Sequence, residues 1–350
     1  YKDMASLFCG FRAGLGNVSS CSFLYGGNTR GGYKNTEDDM GAWIDFTNRV
    51  HIAKQTSQNG VLKYVGYEEI TPELIEEIAN NSRIRWVQID ENLPDRAYRE
   101  IDRILERRSD LYFRIFGIGT YGNETFDLSV LRQMPHLTKI RLDGHLTENK
   151  EAVAPEYLCE LPNIKGLHLT LFDRLDYRFV KDLAPDLEEL TLYADTMGKN
   201  VQFDCDWLSG FKKLHTLFLG KKAKKNIEST RRINSLKSLS LSGIKVEDFS
   251  FLKELDLESF ALLWCGSSNL ATLGELVSLR KLELWRIMKL DNLDFISSLV
   301  NLETIKLQDL KHIRTLPDIS RLKRLTDIQI SNVPIQLETL DESVRRMVHS

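Results

Sequence analysis

The stretch Asn301–Leu316, NLETIKLQDLKHIRTL, decides the fold. It is too rich in leucine for a loop and too charged for a buried strand. Leu302, Ile305 and Leu307 are spaced three and then two apart. A helix asks for apolar residues at i, i+3, i+4 and i+7, and a half-buried strand asks for strict alternation. Neither gives this order.

The same offsets recur along the chain. They appear as Leu137/Ile140/Leu142, Ile164/Leu167/Leu169, Leu187/Leu190/Leu192, Leu214/Leu217/Leu219 and Leu236/Leu239/Leu241. Leu257/Phe260/Leu262, Leu279/Leu282/Leu284, the opening triplet and Leu325/Ile328/Ile330 follow. From Leu137 the first positions step by 27, 23, 27, 22, 21, 22, 23 and 23 residues. Upstream, Ile84/Val87/Ile89 fits, and Leu62/Val65/Tyr67 fits less well. A period this regular marks a solenoid of stacked repeats. The second and third members of each triplet sit on a short strand, whose alternate side chains point the same way. The first turns the chain into that strand from the interior.

Between the strands lie return segments such as LDFISSLVNL, LATLGELVSL and YRFVKDLAPDL. Two are plain helices. TPELIEEIAN (Thr71–Asn80) has Thr71 to cap it, Pro72 in its first turn, and Glu73 and Glu76 near its positive end. PDRAYREIDRILERR (Pro94–Arg108) is the other. A single repeat offers too few apolar side chains to offset the entropy of ordering its own backbone. Each must therefore lean on its neighbours, and the ends need caps.

These residues resemble the leucine-rich repeat proteins over about residues 62 to 344. Later repeats, of 21–23 residues, resemble internalin-type and phosphatase-regulator-type repeats. Earlier ones, of 23–27, resemble the helix-backed subclass of ribonuclease inhibitors and substrate receptors. The resemblance implies an α/β solenoid: a curved array with a parallel concave sheet and short helices or irregular returns on the convex side. About function it implies little. One departure stands out. The family usually places Asn or Cys at the ninth position, where its side chain hydrogen-bonds the turn. Here that position reads His145, Phe172, Asp195, Lys222, Ile244, Cys265, Ile287, Leu310 and Val333. Six of these are apolar or nearly so, so burial is expected to hold the turn in place of a polar ladder, with less regular curvature. Near Asp110–Gly119 the spacing starts a repeat at Leu111 and would bury Arg114, so a shifted strand is expected there.

The expected organisation is a poorly ordered leader at 1–39, an N-terminal cap at 40–70, the solenoid at 71–333 and a C-terminal helical cap at 334–350. The leader is rich in Gly and Ser and has no acidic residue between Asp3 and Glu37. It reads as a targeting peptide starting at Met4, or as material upstream of a natural start at Met40, and the latter is preferred. In the N-terminal cap, Asn59-Gly60 between two strand-like stretches signals a hairpin. In the C-terminal cap, Leu337, Leu340, Val344 and Met347 fall on one helical face.

A net charge of −3 argues against a general nucleic-acid or membrane role. No apolar run reaches the roughly 20 residues that span a bilayer. Five scattered cysteines, with none at metal or redox spacing, favour a reducing compartment, and the cytoplasm is expected. No motif for catalysis or for a metal or other cofactor is present: GNTRGGYKNT (27–36) has no preceding strand, the seven histidines are isolated, and Asp204–Trp207 reads as a turn before a helix. The basic run Lys221, Lys222, Lys224 and Lys225, followed by Arg231 and Arg232, reads as a solvated rim loop.

The concave face carries more information. Ser238, Ser240, Ser242, Ser259 and Ala261 would form a floor of small side chains. Tyr193 and Phe218 would stand on one side, and Trp285 with Leu263, Trp264 and Glu283 on the other. Three strand steps separate Phe218 from Trp285, roughly 14 Å at about 4.8 Å per step. That width suits a helix or an extended segment of a partner, with the aromatics as exposed anchors. The opposing expectation is that these aromatics cover one another. Lys139 and Arg141 would steer the partner in. The sequence therefore predicts a monomeric, non-catalytic scaffold for a protein partner, or a recognition subunit such as a substrate receptor or an immunity-type inhibitor.

Overall fold

The computed structural model describes residues 48–349, apart from 60–61, 119–124, 148–149, 152–153, 173, 197 and 268. The leader expected at 1–39 lies outside the described residues. Sixteen strands join into one sheet. They are β1 (Arg49–Ala53), β2 (Ser57–Asn59), β3 (Leu62–Gly66), β4 (Trp86–Ile89), β5 (Tyr112–Ile118), β6 (Lys139–Thr147), β7 (Lys150–Glu151) and β8 (Gly166–Phe172). Then come β9 (Glu189–Ala194), β10 (Thr216–Lys221), β11 (Ser238–Ser242), β12 (Ser259–Leu263), β13 (Lys281–Trp285), β14 (Thr304–Gln308), β15 (Asp327–Ser331) and β16 (Val348–His349).

From β4 to β16, leaving aside the short β7 that pairs antiparallel with β6, every neighbour is parallel. The triplets stack without slip from β8 to β15: Leu217 lies beside Leu239, then Phe260, Leu282, Ile305 and Ile328. Leu219, Leu241, Leu262, Leu284 and Leu307 are each 0 % exposed, and the first-position leucines from Leu187 to Leu302 are equally buried. Pleating sends the residues between them to the concave face.

At the N-terminus the order of strands departs from the order of the chain. β1 sits between β4 and β3, and β2 lies outermost, antiparallel to β3 with Asn59 opposite Leu62. The strand β5 is shifted by one residue from the leucine spacing, as Arg114 required. Phe113 and Ile115 enter the core opposite Ile140 and Leu142, and Arg114 turns to the concave face beside Arg141.

Two return segments are helical: α1 (Pro72–Asn80) and α2 (Asp95–Arg107). Thr71 accepts a hydrogen bond from the Leu74 amide to cap α1. At its other end Arg108 donates to the carbonyls of Ile78, Asn81 and Ile84, reinforcing the backbone bonds that Ile78 and Asn81 already accept there. From Leu128 onward the returns carry a short 3₁₀ segment, such as Leu128–Gln133 and Asp294–Ser298, except between β14 and β15, where residues 309–326 form turns alone. The two 27-residue repeats are therefore not helix-backed. Their extra residues go to the β6–β7 excursion and to the 195–204 loop. An α-helix is about 10 Å thick and a strand step about 4.8 Å, so the two helices widen the convex side at one end of the array. At the C-terminus a 3₁₀ turn at Leu337–Thr339, a four-residue helix α3 (Glu342–Arg345) and β16 take the place of one amphipathic helix. Leu337, Leu340, Val344 and Met347 still pack against the core.

The chain leaves each later strand through a left-handed residue. Lys221, Gly243, Trp264, Arg286, Asp309 and Asn332 have φ between 52° and 64°. Gly, Asn and Asp tolerate this, whereas each bulkier residue costs about 1 kcal/mol. The conformation aims the backbone N–H at the next repeat. Gly243 donates to the Leu263 carbonyl (2.8 Å), Trp264 to Trp285 (2.7 Å), Arg286 to Gln308 (2.9 Å) and Asp309 to Ser331 (3.0 Å). The next residues, Ile244, Cys265, Ile287 and Leu310, are buried. Burial does hold the turn, as expected, but a backbone ladder assists it and the register stays regular. Cys265, the one residue with a family-type side chain, donates to the Ile244 carbonyl of the preceding repeat (2.7 Å).

Leu241→Ala should lower stability by about 2–5 kcal/mol, because the stacked leucines on either side cannot close the cavity. Urea unfolding followed by circular dichroism measures it, and a loss under 1 kcal/mol would mean the stack is loose.

Candidate functional site

The concave face divides into three zones. At the N-terminal end Arg114, Arg141 and Asp143 form a buried ion cluster. Arg114 Nε and Arg141 Nε both donate to Asp143 Oδ2 at 2.6 Å. Gln88 Oε1 accepts from Arg114 Nη1 (3.0 Å) and Arg49 Nη1 (3.3 Å). The Trp86 ring lies under the Arg141 guanidinium, 5.2 Å from centroid to Cζ. Burial alone would raise the Asp143 carboxyl. The two guanidiniums outweigh it and hold that carboxyl well below the usual range. Burial pulls Arg114 down to about 10 against the pull of Asp143, and it stays charged at neutral pH. Arg141 is thus 3 % exposed and serves as an internal strut. The exposed steering cation expected from the sequence is therefore a buried side chain paired with Asp143.

Lys139 is committed in the same way. Its Nζ meets Glu189 Oε1 at 2.6 Å, while Tyr112 Oη donates to Glu189 Oε2 at 2.6 Å. These groups come from β5, β6 and β9 and close over Gly166 on β8, where a Cβ would lie 2.9 Å from Lys139 Cγ. Burial first, then Glu189, pushes the Tyr112 phenol well above its ordinary value.

The central zone corrects the expected trough. Tyr193, Phe218 and Trp285 are 6, 7 and 2 % exposed and do not stand up as walls. With Ala261 and Leu263, also buried, they form one apolar cluster with Phe172 and Trp264 against it. The cause is the small floor. A Cβ at Gly220 would overlap Tyr193 Cδ2, so the tyrosine ring lies flat over β10. Trp285 is drawn sideways by donation from Nε1 to Asp309 Oδ2 (2.7 Å), and Trp264 meets it edge to face at 5.4 Å between centroids. Trp264 alone of the four is half-exposed, with Arg286 Cζ 4.1 Å above its ring. Asp309, which sequence reasoning missed, organises this group. Its signal was its place one residue beyond β14, in the left-handed position.

In the third zone Glu283 pairs with Lys306 at 3.1 Å. Burial raises the Glu283 carboxyl, although Lys306 opposes it. What the face leaves half-exposed is a strip of small polar side chains, Thr216, Ser238, Ser240 and Ser259, continued by Lys281 and Thr304. Of the residues expected to bind, Ser240, Trp264 and Lys139 are half-exposed, while the others lie beneath this surface. Among the described residues no group of three His, Cys, Asp or Glu side chains is placed to hold a metal ion. None of the helices described is long and apolar enough to cross a membrane.

One continuous parallel sheet, one strand per repeat, with returns on the other side: this is the leucine-rich repeat architecture. No family model matches the chain, and no curated protein does. Solved structures with likeness to it include an internalin, InlF, of Listeria monocytogenes. It is 16 % identical over 77 % of this chain and 92 % of its own, with a TM-score of 0.37. Internalin C2 of the same organism is similar, at 15 % identity over 75 % and 92 % and a TM-score of 0.37. The Arabidopsis receptor kinase HAESA, solved with the peptide hormone IDA and the co-receptor SERK1, is 14 % identical over 74 % of this chain and 46 % of its own, with a TM-score of 0.41. The architecture stands on the sheet itself; scores this low add nothing to it.

Two tests follow from the ion cluster. Asp143→Asn would leave two buried guanidiniums without a counter-charge and should cost about 3–5 kcal/mol in urea unfolding. An unchanged midpoint would contradict a dry, paired cluster. The second concerns His168, buried beside it. Burial, then the Arg141 charge, lowers its pKa well below 6.5 despite Asp143, with Arg114 adding to the effect. The unfolded chain takes up a proton that the folded chain refuses. The stability held by neutral His168 is therefore complete above about pH 6.5 and is lost as pH falls below it. Urea midpoints measured between about pH 7.5 and 5 should fall in the native chain and flatten in His168→Gln. Parallel slopes in the two proteins would refute this.

Proposed function

We propose that this chain is a non-catalytic scaffold that holds another protein against its concave face. The observation that carries the reading is the half-exposed strip Thr216, Ser238, Ser240 and Ser259, set on a bed of locked neighbours. Tyr193, Phe218 and Trp285 are packed beneath and beside it, and Glu283 is tied to Lys306. A surface so rigid loses little freedom when a partner docks. Hydroxyls at one or two per strand from β10 to β12 give a polypeptide backbone places to hydrogen-bond without burying a charge.

The side chains best suited to chemistry are engaged elsewhere. Burial lifts the Cys159 thiol to about 11, and the Cys205 thiol higher still, which leaves both poor nucleophiles. His168 is held neutral and enclosed. Cys159, Cys205 and Cys265 are free thiols, which suits a reducing compartment, and the cytoplasm is the proposed location. The protein would act there as a single copy.

The test is differential capture from a native lysate. The native chain and Ser240→Arg/Ser259→Arg are immobilised in parallel, with Val300→Arg as a control outside the concave face. A protein held by the native chain and the control but lost by the double variant is the expected result. An identical captured set for all three, with folding intact, would remove the concave face from consideration. Substitutions at Phe218 and Trp285 would not test the face, because they would break the buried cluster.

A further inference from the structure

The loops that follow β10 to β14 lie side by side at one rim of the sheet, because Gly243, Trp264, Arg286 and Asp309 each bond to the next repeat and Lys222 bonds back to Ala194. They are residues 221–226, 243–248, 264–269, 286–291 and 309–314. Together they hold nine Lys or Arg and four Asp or Glu, a net charge of +5 in a chain whose total is −3. Of the four acids, Asp291 meets only the neighbouring Asn292 amide, and the other three are engaged by side chains of the same or adjoining loops. Glu247 pairs with Lys245, Asp248 caps the Ser250 amide and hydroxyl, and Asp309 accepts from Trp285 and Asn332. Lys221 and Lys225 are matched from an earlier repeat by Asp195 and Asp204. Lys222, Lys224, Lys289 and Lys311 have no acidic partner among the described residues, and the last three are exposed.

A second, independent feature lies in the middle of these charges. Trp264 occupies the left-handed position at φ 55°, where a bulky residue is strained, and its side chain stays half-exposed. The equivalent positions on either side hold Gly243 and Arg286, and Arg286 lies over the Trp264 ring. Nearby on the same rim Met288 is 43 % exposed. The rim thus presents two apolar side chains, Trp264 and Met288, among its cations.

We propose that this rim docks an acidic, extended segment of a partner protein, with an apolar side chain of that segment seated on Trp264. Charge complementarity selects the partner. From β10 to β14 is four strand steps, about 19 Å, which six residues of extended chain cover at about 3.3 Å each. Nucleic acid fits less well. Trp264 is the single Phe, Tyr or Trp in these five loops, so no row of rings awaits stacked bases. The rim lies beside the hydroxyl strip but is a separate surface, and the inference does not depend on the strip binding anything.

The test uses the full chain and a fluorescein-labelled peptide of alternating Glu and Asp with a central Leu-Phe pair, followed by anisotropy. The peptide should bind at low salt and weaken as salt rises. Lys222→Glu/Lys289→Glu should weaken it by roughly ten-fold or more. Trp264→Asn, which suits the left-handed backbone, should weaken it several-fold with an unchanged circular dichroism spectrum. Ser240→Arg/Ser259→Arg should leave it bound. The proposal fails if the peptide does not bind at low salt, or if both rim variants bind it as the native chain does. It also fails if the strip variant abolishes binding. Tighter binding of an oligothymidine of matched charge, or of phosphatidylserine vesicles, would overturn it in favour of a general polyanion surface.

Discussion

Register is the constraint on which the molecule depends. Each strand places its two core residues directly beside those of the strand before it, and a slip of one residue would move every leucine to the concave face and every serine to the core. Because a single repeat cannot stabilise itself, the stack must be continuous to exist at all. The ladder of left-handed residues extends that continuity past the ends of the strands. It fixes where each chain leaves the sheet, and so where the rim loops lie.

Curvature then decides what the concave face can be. Side chains on the inner face of a bent sheet converge, and large ones can remain exposed only if nothing small lies beside them. Here small residues are everywhere: Gly166 beneath Lys139 and Tyr112, Gly220 beneath Tyr193, and serines along β11. The large side chains fold down over them and are buried. The same convergence brings Tyr112 on β5 within hydrogen-bonding distance of Glu189 on β9. What remains for a partner is a low polar strip and the half-exposed Trp264 at its margin.

This explains which features were legible in the sequence. The triplets identify the fold because spacing maps directly onto the pleat, and the out-of-place Arg114 announced the shift in β5. The return segments were harder: repeat length alone could not say whether surplus residues go to a helix or to a loop, and in the two 27-residue repeats they go to loops. Membership of the concave face was legible for Tyr193, Phe218 and Trp285, but the sequence left their exposure open between standing anchors and rings that cover one another, and the structure takes the second course. Exposure depends on neighbours in the next repeat, on Gly220 and Asp309, and no pattern within one repeat carries that. The partner of Lys139, Glu189, stands two strands away on β9 and is hidden from the pattern of one repeat, whereas Asp143 lies two residues from Arg141 on the same face of β6 and was legible.

Amide hydrogen exchange resolved to single residues measures the continuity of the stack most directly. If the repeats form one in-register sheet, the amides of Gly243, Trp264, Arg286 and Asp309 should be protected as strongly as those of Leu241, Leu262, Leu284 and Leu307, although they lie beyond the strands. Exchange of the first group at the rate of open loops, with protection broken from one strand to the next, would show separate segments where a single solenoid is described.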